Sequence, residues 1–289
     1  MTTPLIQLTD IAYRYPLTSK NTVSGLNFKL NRGQVLGVVG VNGSGKTTLC
    51  HIIRGFIPSF FQGTLHGEVL INGQSVNQYD DTELSQLIGY IFQNPFTQIS
   101  GVKETVREEI GYGLENLGKP SSEINRRVDE VISLLNLQPI EYKNPFALSG
   151  GQKQLVAIAA ILAIDPDIFI FDEPTSQLDP AGTNKVFAII AQLKEQNKTV
   201  IIVEHKLDLM MEYVDQLLVL NRDGTQAMFG QPRRILAHVD PDMEMALPTA
   251  TQIFRQLQPK YQLANQETVP VTERDIVTTI QKLKRGGDV

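Results

Sequence analysis

Residues 40–47 read GVNGSGKT, and they follow VLGVVG at 35–40, an apolar run without polar interruption. A run of that kind predicts a strand buried on both faces of a parallel sheet. The loop after it fits G-x-x-x-x-G-K-[ST], a pattern that average composition produces by chance in about 1% of chains this long. Its glycines let backbone N–H groups curl around phosphate oxygens, and the helix predicted from Lys46 adds partial positive charge at its N-terminus. Asn42, Gly43, Ser44, Gly45, Lys46, Thr47 and Thr48 are therefore the candidate phosphate-binding residues. Lys46 is expected to reach the β- and γ-phosphates, and the Thr47 hydroxyl to ligate Mg²⁺. Strand, loop and helix in that order commit the chain to an α/β fold of the P-loop NTPase type with a parallel core.

The complementary acids come later. DIFIFDEP at 167–174 is an apolar strand ending in two carboxylates, which emerge at the sheet edge where ligands bind. Asp172 is expected to hold the Mg²⁺ shell, and Glu173 to orient or deprotonate the attacking water. Around these motifs the alternation is regular. Short-strand patterns at 5–15 and 24–30 predict an N-terminal antiparallel β subdomain, and GEVLINGQ at 67–74 predicts a strand entering an Asn72-Gly73 turn. From about 80 to 150 the texture predicts a mostly helical insertion, its best helix over 122–137. Then come helix 151–163, strand 167–172, helix 180–196 opened by Asp179-Pro180, strand 199–204 and a hairpin over 216–230. Beyond 231 the patterns weaken into an extension ending in a helix over 272–285, capped by Thr272 and Asp275.

A second helix start is built to hold an anion. LSGGQKQ at 148–154 opens onto the apolar LVAIAAILA. Ser149 can cap that helix, and its hydroxyl with the N–H groups at Gly150 and Gly151 favours an oxyanion, here without a lysine. The net charge of −5 disfavours non-specific DNA binding. One cysteine, Cys50, excludes an intrachain disulfide and fits a reducing compartment. His51, His66 and His238 have no ligand spacing with one another or with Cys50, so no transition-metal site is expected. The start MTTPLIQLTD has no signal-peptide pattern, and LVAIAAILAI at 155–164 is too short for a membrane span.

These motifs resemble the ATP-binding-cassette (ABC) ATPases, whose signature is LSGGQ, over residues 5–230. The resemblance implies that Gln93 in YIFQNP is the Q-loop residue, touching Mg²⁺ and the reaction centre. It likewise implies that SQLD at 176–179 is the D-loop with Asp179, and that His205, ending TVIIVEH, is the switch histidine. Tyr15 falls where the family places a ring against adenine; Tyr13, two residues away, leaves open which of the two stacks. In that family two cassettes face head to tail, so Ser149, Gly150, Gly151 and Gln152 would meet the partner's ATP.

Within the family, GYIFQNPFTQISGVKETVREEIGYGLENLG at 89–118 and EHKLD at 204–208 are similar to the ATPases of energy-coupling-factor (ECF) transporters, which import vitamins and transition-metal ions. Phe96 departs from that pattern, which has an acid directly after QNP. ALPTATQIFRQL at 246–257 resembles the tail through which those ATPases hold their dimer, so 231–289 is expected to assist assembly. The resemblance implies ATP and Mg²⁺, a second ATPase subunit, a transmembrane coupling subunit and a substrate-binding membrane subunit. It also implies no nucleic acid, and a peripheral location on the cytoplasmic face of the membrane. Other ABC importers are the alternative, as are soluble ABC ATPases acting on DNA or ribosomes. The latter are disfavoured because the chain has no heptads for a long coiled coil and only one loop–signature pair.

Overall fold

Alternating apolar residues near the N-terminus pair as β1 (Ile6–Arg14) and β2 (Val23–Leu30), and β3 (Val35–Val39) is the apolar run before the glycine-rich loop. The computed structural model describes residues 3–239, 245–261 and 267–284. With β4 (Thr64–Ile71) and β5 (Gln74–Ser75), the first two strands form an antiparallel sheet in the order β2-β1-β4-β5. Asn72 and Gly73, both at positive φ, turn β4 into β5 as the dipeptide predicts.

The second sheet has the order β10-β9-β3-β8-β7-β6, from β6 (Ile88–Ile91), β7 (Ile168–Asp172), β8 (Thr199–Val203), β9 (Gln216–Leu220) and β10 (Gln226–Gly230). All its neighbours pair parallel except the edge strand β10. Both faces are covered. Phe169 and Phe171 of β7 pack into one core while Ile168 and Ile170 pack into the other, and β8 divides its residues in the same way. This is why those strands read as unbroken apolar runs rather than as alternations.

Helices α1 (Lys46–Arg54) and α2 (Phe56–Ser59) follow the glycine-rich loop, and α3 (Asp81–Leu87) leads into β6. The helical layer comprises α4 (Val106–Asn116), α5 (Ser121–Leu135) and α6 (Gly150–Ile164), with α6 packed against α4, α5 and β6. Next come α7 (Pro180–Glu195) and α8 (Leu207–Met210). The stretch from 80 to 150 is thus not helical throughout, because β6 lies inside it and belongs to the core sheet. Four residues, IGYI, all buried, carry too little periodicity to be told from a helical segment.

The extension contains α9 (Pro232–His238), α10 (Thr249–Leu257) and α11 (Glu273–Lys284), and it folds back onto the core through Phe254, Val269, Val271 and Ile276. Thr272 and Asp275 cap α11 reciprocally, and Asp275 also takes the Arg233 guanidinium at 2.5 Å. Residue 285, assigned to that helix from sequence, and 240–244 and 262–266 of the extension lie outside the described residues.

One histidine is built into the apolar layer beneath α1. His51 stacks on Phe61 at 4.6 Å, lies beside Phe56 and Tyr90, and has no hydrogen-bond partner for Nδ1. Burial pushes its pKa from 6.5 down to about 4. The unfolded chain takes up this proton near pH 6.5 and the folded chain only near 4. The stability His51 permits is therefore intact above the upper value and is lost as pH falls through the window. Denaturant titrations are expected to show a loss of about 2 kcal/mol between pH 7 and pH 5 that a His51→Phe variant lacks. Identical pH dependence in the two proteins would contradict this.

Candidate functional site

β3, β8, β7 and β6 are adjacent and parallel, and their register sets Val38 beside Val203, Val203 beside Asp172 and Phe171 beside Ile91. Their carboxyl ends are level. Four loops therefore leave one edge together, carrying the glycine-rich segment, His205, Glu173 and Gln93. Asn42, Gly43 and Gly45–Thr48 line one side of a groove of about 450 Å³, and Thr22, Gln93, Glu173 and His205 complete it.

The loop is shaped by its glycines. Gly45 has φ +88, and a Cβ there would lie 2.4 Å from Val23 Cγ1. Gly45 is also the N-cap of α1, and no side chain caps that helix. The first-turn N–H groups are left to an external acceptor. Lys46 is buried and donates to the carbonyls of Gly40 and Val41, both at 3.0 Å. Burial pushes its ammonium below the usual lysine range, while Glu173 and Asp172 pull it back up.

Asp172 is buried at the end of β7, and burial raises its carboxyl above the usual range, opposed by the Tyr90 hydrogen bond and by the Thr47 hydroxyl nearby. Its Oδ2 accepts from the Tyr90 hydroxyl at 2.9 Å, whereas Oδ1 has no hydrogen-bond partner. Ser44 Oγ is likewise buried and unpartnered. A buried carboxylate oxygen left over beside the Thr47 hydroxyl is a hard donor set of the kind Mg²⁺ takes. The residues fit that ion.

Glu173 stands at φ +49 and is held there by its N–H to Val203 O at 3.0 Å. A non-glycine residue in this region costs on the order of 1–2 kcal/mol, a strain typical of functional turns. Both carboxylate oxygens are engaged: Gln93 Nε2 donates to Oε2 at 2.6 Å, and His205 Nε2 lies 3.1 Å from Oε1. The three residues assigned to catalysis from sequence thus form one cluster. Tyr13 is fully buried, with its hydroxyl on Gln62 O. Tyr15 is half-buried just past β1, and its hydroxyl is 3.2 Å from Thr48 Oγ1. Of the two, Tyr15 is the ring that reaches the first turn of α1.

The second helix start lies elsewhere. Ser149 is exposed, and it forms a capping box with Gln152: Ser149 Oγ accepts from Gln152 N and Gln152 Oε1 from Ser149 N. Gly151 packs against Gln177 and Leu178, so this helix start abuts the 176–179 turn. Asp179 ends that turn as the cap of α7, accepting from Gly182 N at 2.7 Å. None of residues 149–152 lines the groove beside Lys46.

Two further residues take supporting roles through contacts that only the fold creates. Gln98 bonds to Phe92 N and Tyr90 O along the open edge of β6, shaping the turn that carries Gln93. Glu204 is buried and accepts from Thr175 N, Thr175 Oγ1, His205 N and Lys206 N, tying the loop after β7 to the loop after β8. Its signal was present: TVIIVE is an apolar strand ending in an acid, as DIFIFDE is.

A family model described as ABC transporter matches residues 23–176. A putative ABC transporter ATP-binding protein of Pyrococcus horikoshii is 36% identical over 256 residues, 88% of this chain and 89% of that protein. The energy-coupling factor transporter ATP-binding protein EcfA of Methanocaldococcus jannaschii is 36% identical over 239 residues, 82% of each. Some relatives are longer; this chain spans 38% of a putative ABC transporter ATP-binding protein of Methanosarcina acetivorans, at 39% identity. Among solved structures, cbiO1 of Clostridium perfringens, part of the ABC transporter complex cbiONQ, superposes with a TM-score of 0.72 at 26% identity. It covers 90% of this chain and 96% of that one. A dimeric ATP-binding cassette in a post-hydrolysis state with ADP and Pi superposes at 0.68 with 27% identity, covering 79% and 99%.

Replacing Glu204 by alanine removes the acceptor for several buried donors, at a cost on the order of 3 kcal/mol. Calorimetry is expected to show a melting temperature lower by roughly 6–12 °C, largely restored in Glu204→Gln. An unchanged transition in the alanine variant would mean that the two loops are held by other contacts.

Proposed function

Because this chain belongs to the ABC transporter family of ATP-binding subunits, we propose that it is the ATP-hydrolysing subunit of an ECF-type importer, acting as one member of a head-to-tail cassette pair. The observation that carries the pairing is the division of donors. Lys46 and the uncapped start of α1 border one groove, while Ser149 and the start of α6 stand outside it. A second set of N–H donors without a lysine suits a phosphate whose lysine comes from another chain.

In this reading Gly43 and Gly45–Thr48 bind the triphosphate, Tyr15 stacks on the base, and Lys46 leaves the loop carbonyls for the β- and γ-phosphates. Glu173 accepts the proton of the attacking water, with Gln93 and His205 each fixing one of its oxygens. Mg²⁺, held by Thr47 and Asp172 with Gln93 nearby, supplies neutralisation of the phosphate charge. From the opposite member, the Ser149 hydroxyl and the N–H groups of Gly150 and Gly151 approach the γ-phosphate while Gln152 holds Ser149 in its cap, and the 176–179 turn with Asp179 lies at the seam. Each hydrogen bond to a charged phosphate oxygen contributes on the order of 1.5–3 kcal/mol. Three of them supply on the order of 5 kcal/mol, the scale that moves a pair from mostly open to mostly closed. Hydrolysis weakens them, and the pair reopens.

The membrane partners dock, in this proposal, beside the turn after Gln93. Phe96 and Phe146 are 55% and 59% exposed there, and Lys153 of α6 lies 4.3 Å over the Phe96 ring while donating to Phe146 O. Where the ECF pattern has an acid, this chain sets an aromatic face against Lys153. Among the described residues no helix is long and apolar enough to cross a membrane. In this proposal the subunit attaches to the cytoplasmic face through these partners. The cargo is a vitamin or metal ion chosen by a separate membrane subunit, and the extension after 231 assists assembly.

Two sets of variants test the reading. Glu173→Gln is expected to retain ATP binding and lose at least about a hundredfold in turnover; turnover at the normal rate would remove Glu173 as the base. Lys46→Ala and Ser149→Arg are each expected to be inactive, and mixing them should restore about one working site per mixed pair, as two-fold exchange of donors requires. No recovery in pairs proven to exchange subunits would overturn the shared site.

A further inference from the structure

Tyr90 occupies β6 opposite Ile170 of β7, two residues short of Asp172 along the neighbouring strand. Its ring is 3% exposed and confined by Phe92 at 4.5 Å and by His51 and Phe56 at 5.5 Å each. From that slot the hydroxyl donates to Asp172 Oδ2 at 2.9 Å, a bond buried at both ends. The other oxygen, Oδ1, is buried and has no partner. The two atoms of one carboxylate are thus treated differently: one is committed to a rigidly packed tyrosine and the other is kept unsatisfied.

The geometry points to Tyr90 as a positioning residue for the metal-holding carboxylate. By occupying Oδ2, it stops the Asp172 carboxylate from rotating about its last bond and leaves Oδ1 as the oxygen offered to a divalent ion beside Thr47. The inference rests on the reading that Asp172 holds Mg²⁺. Its physical basis is general: groups that hydrogen-bond a metal ligand set its orientation, and removing them weakens metal binding about 10- to 100-fold. Tyr90 itself touches neither nucleotide nor ion in this account and acts through Asp172. The aromatic packing belongs to the same device, because a ring wedged between Phe92, His51 and Phe56 cannot swing its hydroxyl away.

The test compares the full-length wild type with Tyr90→Phe, which keeps the ring and deletes only the oxygen. Tyr90→Met, a flexible filler of the same slot, removes the hydroxyl with different packing and keeps the test decisive if the first variant folds poorly. Mn²⁺ binding in the presence of a non-hydrolysable ATP analogue is read by electron paramagnetic resonance, and analogue binding is measured separately in EDTA. Both hydroxyl-free variants are expected to bind Mn²⁺ about tenfold more weakly, with the Mg²⁺ requirement of hydrolysis shifted by the same factor. Analogue affinity in EDTA should stay unchanged, which a merely loosened fold would not preserve. Asp172→Asn separates the two levels of the argument. If it weakens Mn²⁺ binding while the Tyr90 variants match the wild type, the role of Tyr90 is overturned and that of Asp172 stands. If Asp172→Asn binds Mn²⁺ as the wild type does, the metal-holding carboxylate itself is refuted, and the inference with it.

Discussion

Parallel pairing of β3, β8, β7 and β6 in level register is the constraint from which the rest of the molecule follows. A parallel sheet directs every carboxyl end to one edge, and each return crossing needs a helix or a long connection. Residues from four distant parts of the chain therefore arrive at one groove without any of them being neighbours in sequence. The same pairing buries both faces of the strands and leaves their polar ends as the places where a charged group can stand. Asp172, Glu173, Glu204 and His205 all lie just where an apolar strand stops.

At that edge the two helix starts rich in glycine differ in how they are finished. The one at Gly45 has no side-chain cap and a lysine folded back over its own loop carbonyls. The one at Ser149 has a reciprocal cap with Gln152 and stands apart from the groove. An uncapped start beside a lysine suits the bulk of a triphosphate's charge. A capped, exposed start suits brief contact with an anion brought from outside, since its own geometry is fixed before the anion arrives. The chain belongs to a family of transport ATPases, and in the proposed pair this difference separates permanent nucleotide binding from contact made only on closure.

How much of this could be read beforehand depended on how local each signal is. The strand–loop–helix around Lys46, the acids ending DIFIFDEP and the cap at Ser149 are short, continuous patterns, and each lies in the element expected of it. The helices over 121–135 and 180–195 were equally plain because their periodicity extends over four turns or more. The strand at 88–91 was hidden because four buried residues have no period to reveal. Tyr90 could not be linked to Asp172 from sequence, since 82 positions separate them and only the pairing of β6 with β7 brings them together. The different settings of Tyr13 and Tyr15 likewise depend on where β1 ends: Tyr13 lies inside the strand and faces the core, whereas Tyr15 lies beyond it. Local chemistry was legible, and contacts created by the sheet were not.

The central claim is that a working ATP site needs donors from two chains. It is tested most directly by measuring ATP hydrolysis per chain over a wide dilution series while sedimentation in ATP reports the state of association. Specific activity is expected to fall in step with the loss of paired chains as the protein is diluted. Full specific activity in a sample shown to sediment as single chains would contradict it.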